Sequence, residues 1–164
     1  MADRIAPQSK SSGSARVAAM SVIIPVRNGA SDLAMCLQAL QESSVLPAEV
    51  LVVDDGSDDK STEVAERYGA RVLRLPESHG PAAARNAGAH AALQPVLMFL
   101  DADVRVHPDT IELTDVVLSS DGAVGALFGA YDDAPLAPGP PQPPVFLLCK
   151  MTECRVQEHR CSQE

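Results

Sequence analysis

The sequence predicts an α/β domain with a mostly parallel sheet flanked by helices, and three observations carry that prediction. Short apolar or β-branched runs alternate four times with segments of helical period over short connections, the pattern of βαβ units with right-handed crossovers. The runs at 21–24, 50–53 and 96–100 show no alternation of apolar and polar residues, so they read as strands covered on both faces. Two of them finish in acids, Asp54-Asp55 and Asp101-Ala102-Asp103, at the edge where open α/β sheets form their ligand crevice.

Residues 1–20, centred on Ser9-Lys10-Ser11-Ser12-Gly13-Ser14, show neither period and are expected to form a disordered leader. Ser21-Val22-Ile23-Ile24 is the first strand, ended by Pro25 ahead of Arg27-Asn28-Gly29. Leu33, Cys36, Leu37 and Leu40 mark one face of a helix, with Ser31 or Asp32 as its cap. Pro47 breaks the chain before the second strand, Val50-Leu51-Val52-Val53. Ser57 or Asp58 can cap the next helix, whose Val64, Ala65 and Tyr68 face inward and which Gly69 stops. Val72-Leu73-Arg74-Leu75 is a third strand. Pro81 suits a first helical position, and the Ala-rich helix from Ala82 to Leu93 has side chains small enough to lie close on a sheet. The central strand Val96–Leu100 follows, then a helix from Pro108 to about Ser119 and a fifth strand between Ala123 and Tyr131 that its glycines weaken. From Pro135 the composition changes: six prolines fall in ten residues, and 135–164 is expected to be an irregular Pro- and Cys-rich tail.

Asp101 and Asp103 are separated by one small residue, which in an extended segment puts both carboxylates on one side, roughly 6 to 7 Å apart at the backbone. Such a pair suits Mg²⁺ or Mn²⁺, which take hard oxygen ligands, keep several waters and share the phosphates of a substrate. The net charge of −9 and the lack of any Lys/Arg cluster speak against a nucleic-acid partner. An acidic chain that binds a diphosphate needs a metal and one or two placed cations, since like charges 4 Å apart repel by about 4 kcal/mol at an effective dielectric of 20. No apolar run approaches the length of a membrane span, and residues 1–20 lack the apolar centre of a signal peptide, so the chain is expected in the cytoplasm or peripheral to a membrane. The spacing of Cys36, Cys149, Cys154 and Cys161 fits neither a zinc site nor a disulfide framework; all four read as free thiols. The scattered histidines are not read as ligands.

Taken together, Ser21-Val22-Ile23-Ile24-Pro25, Val52-Val53-Asp54-Asp55-Gly56-Ser57, Gly80 to Gly88 with Ala84-Arg85-Asn86, and Phe99-Leu100-Asp101-Ala102-Asp103 resemble the family 2 glycosyltransferases in order and spacing. The resemblance implies a Rossmann-like GT-A domain over 21–134, the nucleotide-sugar-binding half of such an enzyme. It implies inverting transfer of a sugar, hexosyltransferase-like, from a UDP- or GDP-sugar donor to an acceptor that the sequence does not identify. Pro25 and Arg27 would line the base and ribose pocket, Asp55 would accept from the base edge with Asp54 beside it, and Arg85 would reach toward the nucleotide. Asp101 would face ribose and metal, and Asp103 would hold the metal.

Other readings of these residues stand beside the family's. Asp54 and Asp55 can simply begin the next helix, where acids favour the positive end of its dipole. Arg85 can be a solvated helix residue. The general base of an inverting enzyme is expected on the acceptor side, beyond the Asp-X-Asp motif, where this chain turns into proline. The expectation is therefore a truncated enzyme lacking its acceptor half, with a frame shift near Leu136 as one origin. The alternative is a non-catalytic remnant that binds the donor nucleotide. A nucleotidyltransferase would need a Gly-rich, basic loop after the first strand, and Pro25-Val26-Arg27-Asn28-Gly29 matches that poorly. A sheet without its far strands exposes an edge, from which a homo-oligomer is expected.

Overall fold

The computed structural model describes residues 16–120, 124–129 and 147–150. Its elements are β1 (Arg16–Val26), α1 (Ala30–Gln41), β2 (Val45–Asp54), α2 (Ser61–Arg67), β3 (Arg71–Arg74), α3 (Pro81–Ala91), β4 (Val96–Phe99), α4 (Thr110–Ser120), β5 (Ala126–Phe128) and β6 (Leu147–Lys150). They form a sheet of order β3-β2-β1-β4-β6-β5. The first four strands pair in parallel, while β6 runs antiparallel to β4 and to β5. The expected α/β architecture, mostly parallel and flanked by helices, is what forms.

The unalternating runs are buried on both sides, as their composition requires. Val22, Ile23 and Ile24 are all inaccessible to solvent, yet successive side chains point to opposite faces. Val22 and Ile24 join Val52, Met98 and Leu100 against Leu33, Cys36, Leu37 and Leu40 of α1, with Ala65 and Ile111 beside them. Ile23 lies in the other core with Leu51, Val53, Leu97 and Ala84 of α3. The helix α3 sits very close to this face. A Cβ at Gly88 would overlap the Cγ2 of Ile23 and stand 3.0 Å from that of Val53.

The crossover from α3 into β4 is tied down by a carboxylate that the sequence reading did not single out. Glu49 on β2 accepts from the Ser21 hydroxyl and, at 2.8 Å, from the Leu93 amide, while the Arg71 guanidinium stands 3.0 Å away. The Gln94 amide donates to Ser21 Oγ at 3.2 Å.

Several boundaries differ from expectation. β1 begins at Arg16, inside the expected leader, because Arg16, Val17 and Ala18 pair with Val45, Leu46 and Pro47, and Ala18 and Met20 reach the core. Pro47 therefore lies within β2 instead of ahead of it. The register is irregular between Ala18 and Ser21, opposite that proline, and an irregular stretch is where a residue without an N–H is tolerated. Leu147–Lys150, inside the segment expected to be irregular, forms β6. Its short apolar run supplies backbone partners to β4, whose edge would otherwise leave polar groups unpaired. On this side the edge strand of the sheet is β5 and not β4. The fifth strand is shorter than expected, at Ala126–Phe128. The proline run, Cys154 and Cys161 lie outside the described residues. Among the described residues no helix is long and apolar enough to cross a membrane.

Candidate functional site

The carboxyl ends of β1, β2 and β4 share one edge of the sheet, and the loops that leave β1 and β2 are fastened to one another. Asn28, at the exit of β1, adopts φ 52°, a conformation that asparagine tolerates better than most residues. Its amide donates to Ser57 Oγ at 3.0 Å, and its Oδ1 accepts from the Asp58 amide at 2.8 Å. The Gly29 amide donates to Ser61 Oγ at 3.2 Å. Asp59 completes the junction: one oxygen accepts from the Ala30 amide at 3.0 Å and the other from the Ser61 amide at 2.9 Å. One side chain thereby satisfies orphan N–H groups at the starts of both α1 and α2. This is the capping expected from Ser31 or Asp32 and from Ser57 or Asp58; α1 follows Gly29 and α2 follows Lys60, neither of which caps its helix with its own side chain. Burial pushes the Asp59 carboxyl upward, but the hydroxyl and amide donors outweigh it and hold it below its ordinary 3.8.

The paired acids after β2 have separate tasks. Asp54 is buried and accepts from the Ser57 amide at 3.0 Å, closing the turn. Asp55 is also buried, and three donors from the β3–α3 connection converge on it: Ser78 Oγ at 2.9 Å, the His79 amide at 2.8 Å and the Gly80 amide at 2.9 Å. Desolvation raises its pKa, yet these donors and the nearby positive charge of Arg27 hold the carboxyl below 3.8. Three of the roughly four acceptor positions of the carboxylate are therefore taken within the protein. Gly56 follows at φ 74°, and a Cβ there would meet the Ser78 amide nitrogen at 3.4 Å, so the turn and the β3–α3 connection are in close contact. Neither acid begins a helix, since α2 starts only at Ser61.

Between these loops opens a polar cleft of about 430 Å³, lined among others by Arg27, Asp54, Ser57, Asp58, Arg74 and Glu77. That volume is within the range of small-molecule sites. A smaller cavity of about 260 Å³, with Met20, Val96 and Leu118 in its wall, lies toward the opposite end of β4. Pro25 is half-buried within the sheet, paired with Val53, and Arg27 is exposed.

Beyond β4 the chain turns rather than extends. The Val104 amide donates to the Asp101 carbonyl at 3.1 Å, so the Asp-X-Asp segment is a turn and the extended geometry expected for it does not apply. The two acids still act on a common point. Burial first, then Asp103 and Asp101, push the thiol of Cys36 up to about 12, which keeps this free cysteine protonated beneath the turn. Arg85 on α3 is not a solvated helix residue: its guanidinium pairs with Asp101. Asp103 is exposed and has no hydrogen-bond or ion-pair partner among the described residues. Among those residues no three His, Cys, Asp or Glu side chains converge as a ready-made metal cage. Two carboxylates with hard oxygens nonetheless fit a cation that takes its other ligands from water and phosphate.

Comparison with known proteins gives these loops a context. The family model described as glycosyl transferase family 2 matches residues 21–139. The chain belongs to this family. Members resembling it include the uncharacterized glycosyltransferase YibD of Escherichia coli, 33% identical over 97 residues, or 57% of this chain and 28% of that one. Glycosyltransferase AglE of Haloferax volcanii is 36% identical over 110 residues, or 63% of this chain and 36% of that one. The family 2 chain described here therefore spans about a third of the length of these curated relatives. Among solved structures, Staphylococcus aureus TarS 1–349 in complex with UDP-GlcNAc superimposes with a TM-score of 0.65 at 24% identity, over 75% of this chain and 37% of that one. The mannosyltransferase PcManGT of Pyrobaculum calidifontis, in complex with GDP-Man and Mn²⁺, gives 0.57 at 27% identity, over 66% and 34%. The glycosyltransferase fold of these neighbours is the GT-A fold expected from the sequence.

Proposed function

We propose that this family 2 chain binds a nucleotide-sugar at the carboxyl edge of β1, β2 and β4 and takes part in metal-dependent, inverting transfer of the sugar to an acceptor. The observation that supports it most is the shared edge itself. A polar cleft with Arg27 and Arg74 in its wall opens at the sheet edge where the Asp101-Ala102-Asp103 turn also leaves β4, and structural neighbours of the chain include complexes with UDP-GlcNAc and with GDP-Man and Mn²⁺.

In this reading the base and ribose enter the cleft beside Pro25, Arg27 and Asp54. Asp55 offers its remaining lone pair toward the base and otherwise keeps the β3–α3 connection in place. Asp101 and Asp103 are the residues that would hold Mg²⁺ or Mn²⁺, which would offset the diphosphate charge and stabilise it as the leaving group. Arg85, which pairs with Asp101 in the structure, offers its guanidinium fork to the phosphates. Transfer is a single displacement: the acceptor hydroxyl oxygen bonds to the anomeric carbon as the bond to the diphosphate oxygen breaks, the hydroxyl proton passes to a carboxylate base on the acceptor side, and a nucleoside diphosphate leaves.

Calorimetric titration of UDP and of GDP into the full chain, with and without Mn²⁺, tests this reading. One nucleotide is expected to bind in a Mn²⁺-dependent manner, and Asp103→Ala is expected to weaken that binding about tenfold or more at unchanged thermal stability, because the exposed carboxylate supports no other group. Binding indifferent to both Mn²⁺ and the substitution would refute the assignment. Donor hydrolysis or transfer measured alongside distinguishes an active enzyme from a chain that only binds the donor.

A further inference from the structure

At the end of β4, Arg85 pairs with Asp101, and the neighbouring Asp103 is left out of the pair. Arg85 reaches from α3 to Asp101 past the end of β4; its side chain is 31% exposed and that of Asp101 23%. Asp103 and Arg27 have no hydrogen-bond or ion-pair partner among the described residues. The asymmetry has a chemical meaning for a cation arriving alone. Asp103 is open to it, but Asp101 is not, because a guanidinium already neutralises that carboxylate. Taking Asp101 would leave the Arg85 charge unpaired beside a divalent ion, in a partly screened setting where repulsion is strong. A cation arriving with a diphosphate meets no such obstacle, since the phosphate oxygens accept the guanidinium that Asp101 releases.

We propose that Arg85 is an exchangeable counter-ion: paired with Asp101 in the free protein, it moves to the donor diphosphate when the metal takes Asp101, and so makes metal and nucleotide bind cooperatively. This rests on the donor-site reading above. The exchange breaks one ion pair and forms another, with no covalent change. Because linkage is reciprocal, the factor by which nucleotide strengthens metal binding equals the factor by which metal strengthens nucleotide binding. Removing the exchanging charge therefore acts in opposite directions on the two ligands. Metal alone binds more tightly, and nucleotide loses a partner.

The experiment measures free Mn²⁺ by electron paramagnetic resonance during titration of the full chain, first without nucleotide and then with UDP or GDP. It is run on the wild type, Arg85→Gln and Arg85→Lys. Without nucleotide, Arg85→Gln is expected to bind Mn²⁺ about tenfold more tightly than the wild type, and Arg85→Lys to stay near the wild type because it keeps the charge. With nucleotide, the strengthening of Mn²⁺ binding is expected to fall by a similar factor in Arg85→Gln. Thermal melts confirm that the variants fold. Equal or weaker Mn²⁺ binding by Arg85→Gln without nucleotide, including no measurable binding by either protein, overturns the inference. So does a coupling factor unchanged by the substitution. Failure of the donor reading shows itself separately, as a wild type for which neither nucleotide alters Mn²⁺ affinity.

Discussion

Replacing Gly88 by valine is expected to abolish stable folding or to lower the melting temperature by more than ten degrees. In an ordinary helix the sign would be different for a small step: glycine to alanine gains up to about 1 kcal/mol in helix propensity. Here the first added carbon already overlaps Ile23 Cγ2 and stands 3.0 Å from Val53 Cγ2. Both are β-branched, both sit in the core under α3, and neither can turn away without leaving its one favoured rotamer. Overpacking of that kind costs about 1 to 3 kcal/mol, more than the propensity gain, so even Gly88→Ala should destabilise. Valine adds two more carbons to the same gap. Denaturant unfolding of both variants checks the order, and a Gly88→Ala protein more stable than the wild type would show that α3 does not lie as close to the sheet as described.

The second large effect is expected at Asp55. In Asp55→Ala the Ser78 hydroxyl and the His79 and Gly80 amides lose their acceptor together. Charged hydrogen bonds of this kind are worth about 1.5 to 3 kcal/mol each, and water entering the cleft returns part of that, so a net loss of about 3 kcal/mol is expected. Amide exchange locates it: protection should fall at His79 and Gly80 and persist at Ile23 and Val52 in the core. The same carboxylate gives the domain an acid limit. Its pKa in the folded state lies below its ordinary 3.8. The stabilisation is accordingly complete above the unfolded value and is lost as pH falls through the folded one. Asp55→Asn should remove that dependence below about pH 4, at a smaller cost near neutrality. Unchanged exchange at His79 and Gly80 in Asp55→Ala would show that the connection is held by something else.

These two residues also illustrate what the sequence made legible. The closeness of α3 to the sheet followed from its run of alanines, and β1, β2 and β4 from apolar runs without alternation. That information is local. The division of labour between Asp54 and Asp55 was not legible, because the donors to Asp55 come from Ser78, His79 and Gly80, more than twenty residues on. Asp59 was missed for the same reason: it serves Ala30, on the far side of another loop. A second acid after Asp54-Asp55-Gly56-Ser57, next to Asp58, was the available signal, obscured by two earlier candidates for the cap. Glu49 on β2 gave no local sign, since its partners come from three other segments of the chain. The strand β6 was hidden by composition. Six prolines shortly before it set the character of the segment, while its pairing with β4 depends on an edge that only the folded sheet presents.

The Asp101-Ala102-Asp103 motif was visible, but its geometry was not. Period-two reasoning assumes that the strand continues, whereas β4 ends at Phe99 and the chain turns at Asp101. The pairing of Arg85 with Asp101 across two elements belongs to the same class of long-range fact. It is also the feature from which the coupling of metal and nucleotide is inferred.

The donor diphosphate and its metal are expected to meet at the carboxyl edge of β1, β2 and β4. Nitrogen–proton correlation spectra of the full chain, recorded with UDP or GDP and substoichiometric Mn²⁺, test this most directly, because the paramagnetic ion broadens only nearby amides. Selective broadening of Ala102, Asp103 and Val104, with weaker effects at Asn28 and Gly56 and none at Ser21, Gln94 or Leu118, is the predicted result. Broadening centred at the opposite end of the sheet, or none with either nucleotide in a folded protein, would contradict it.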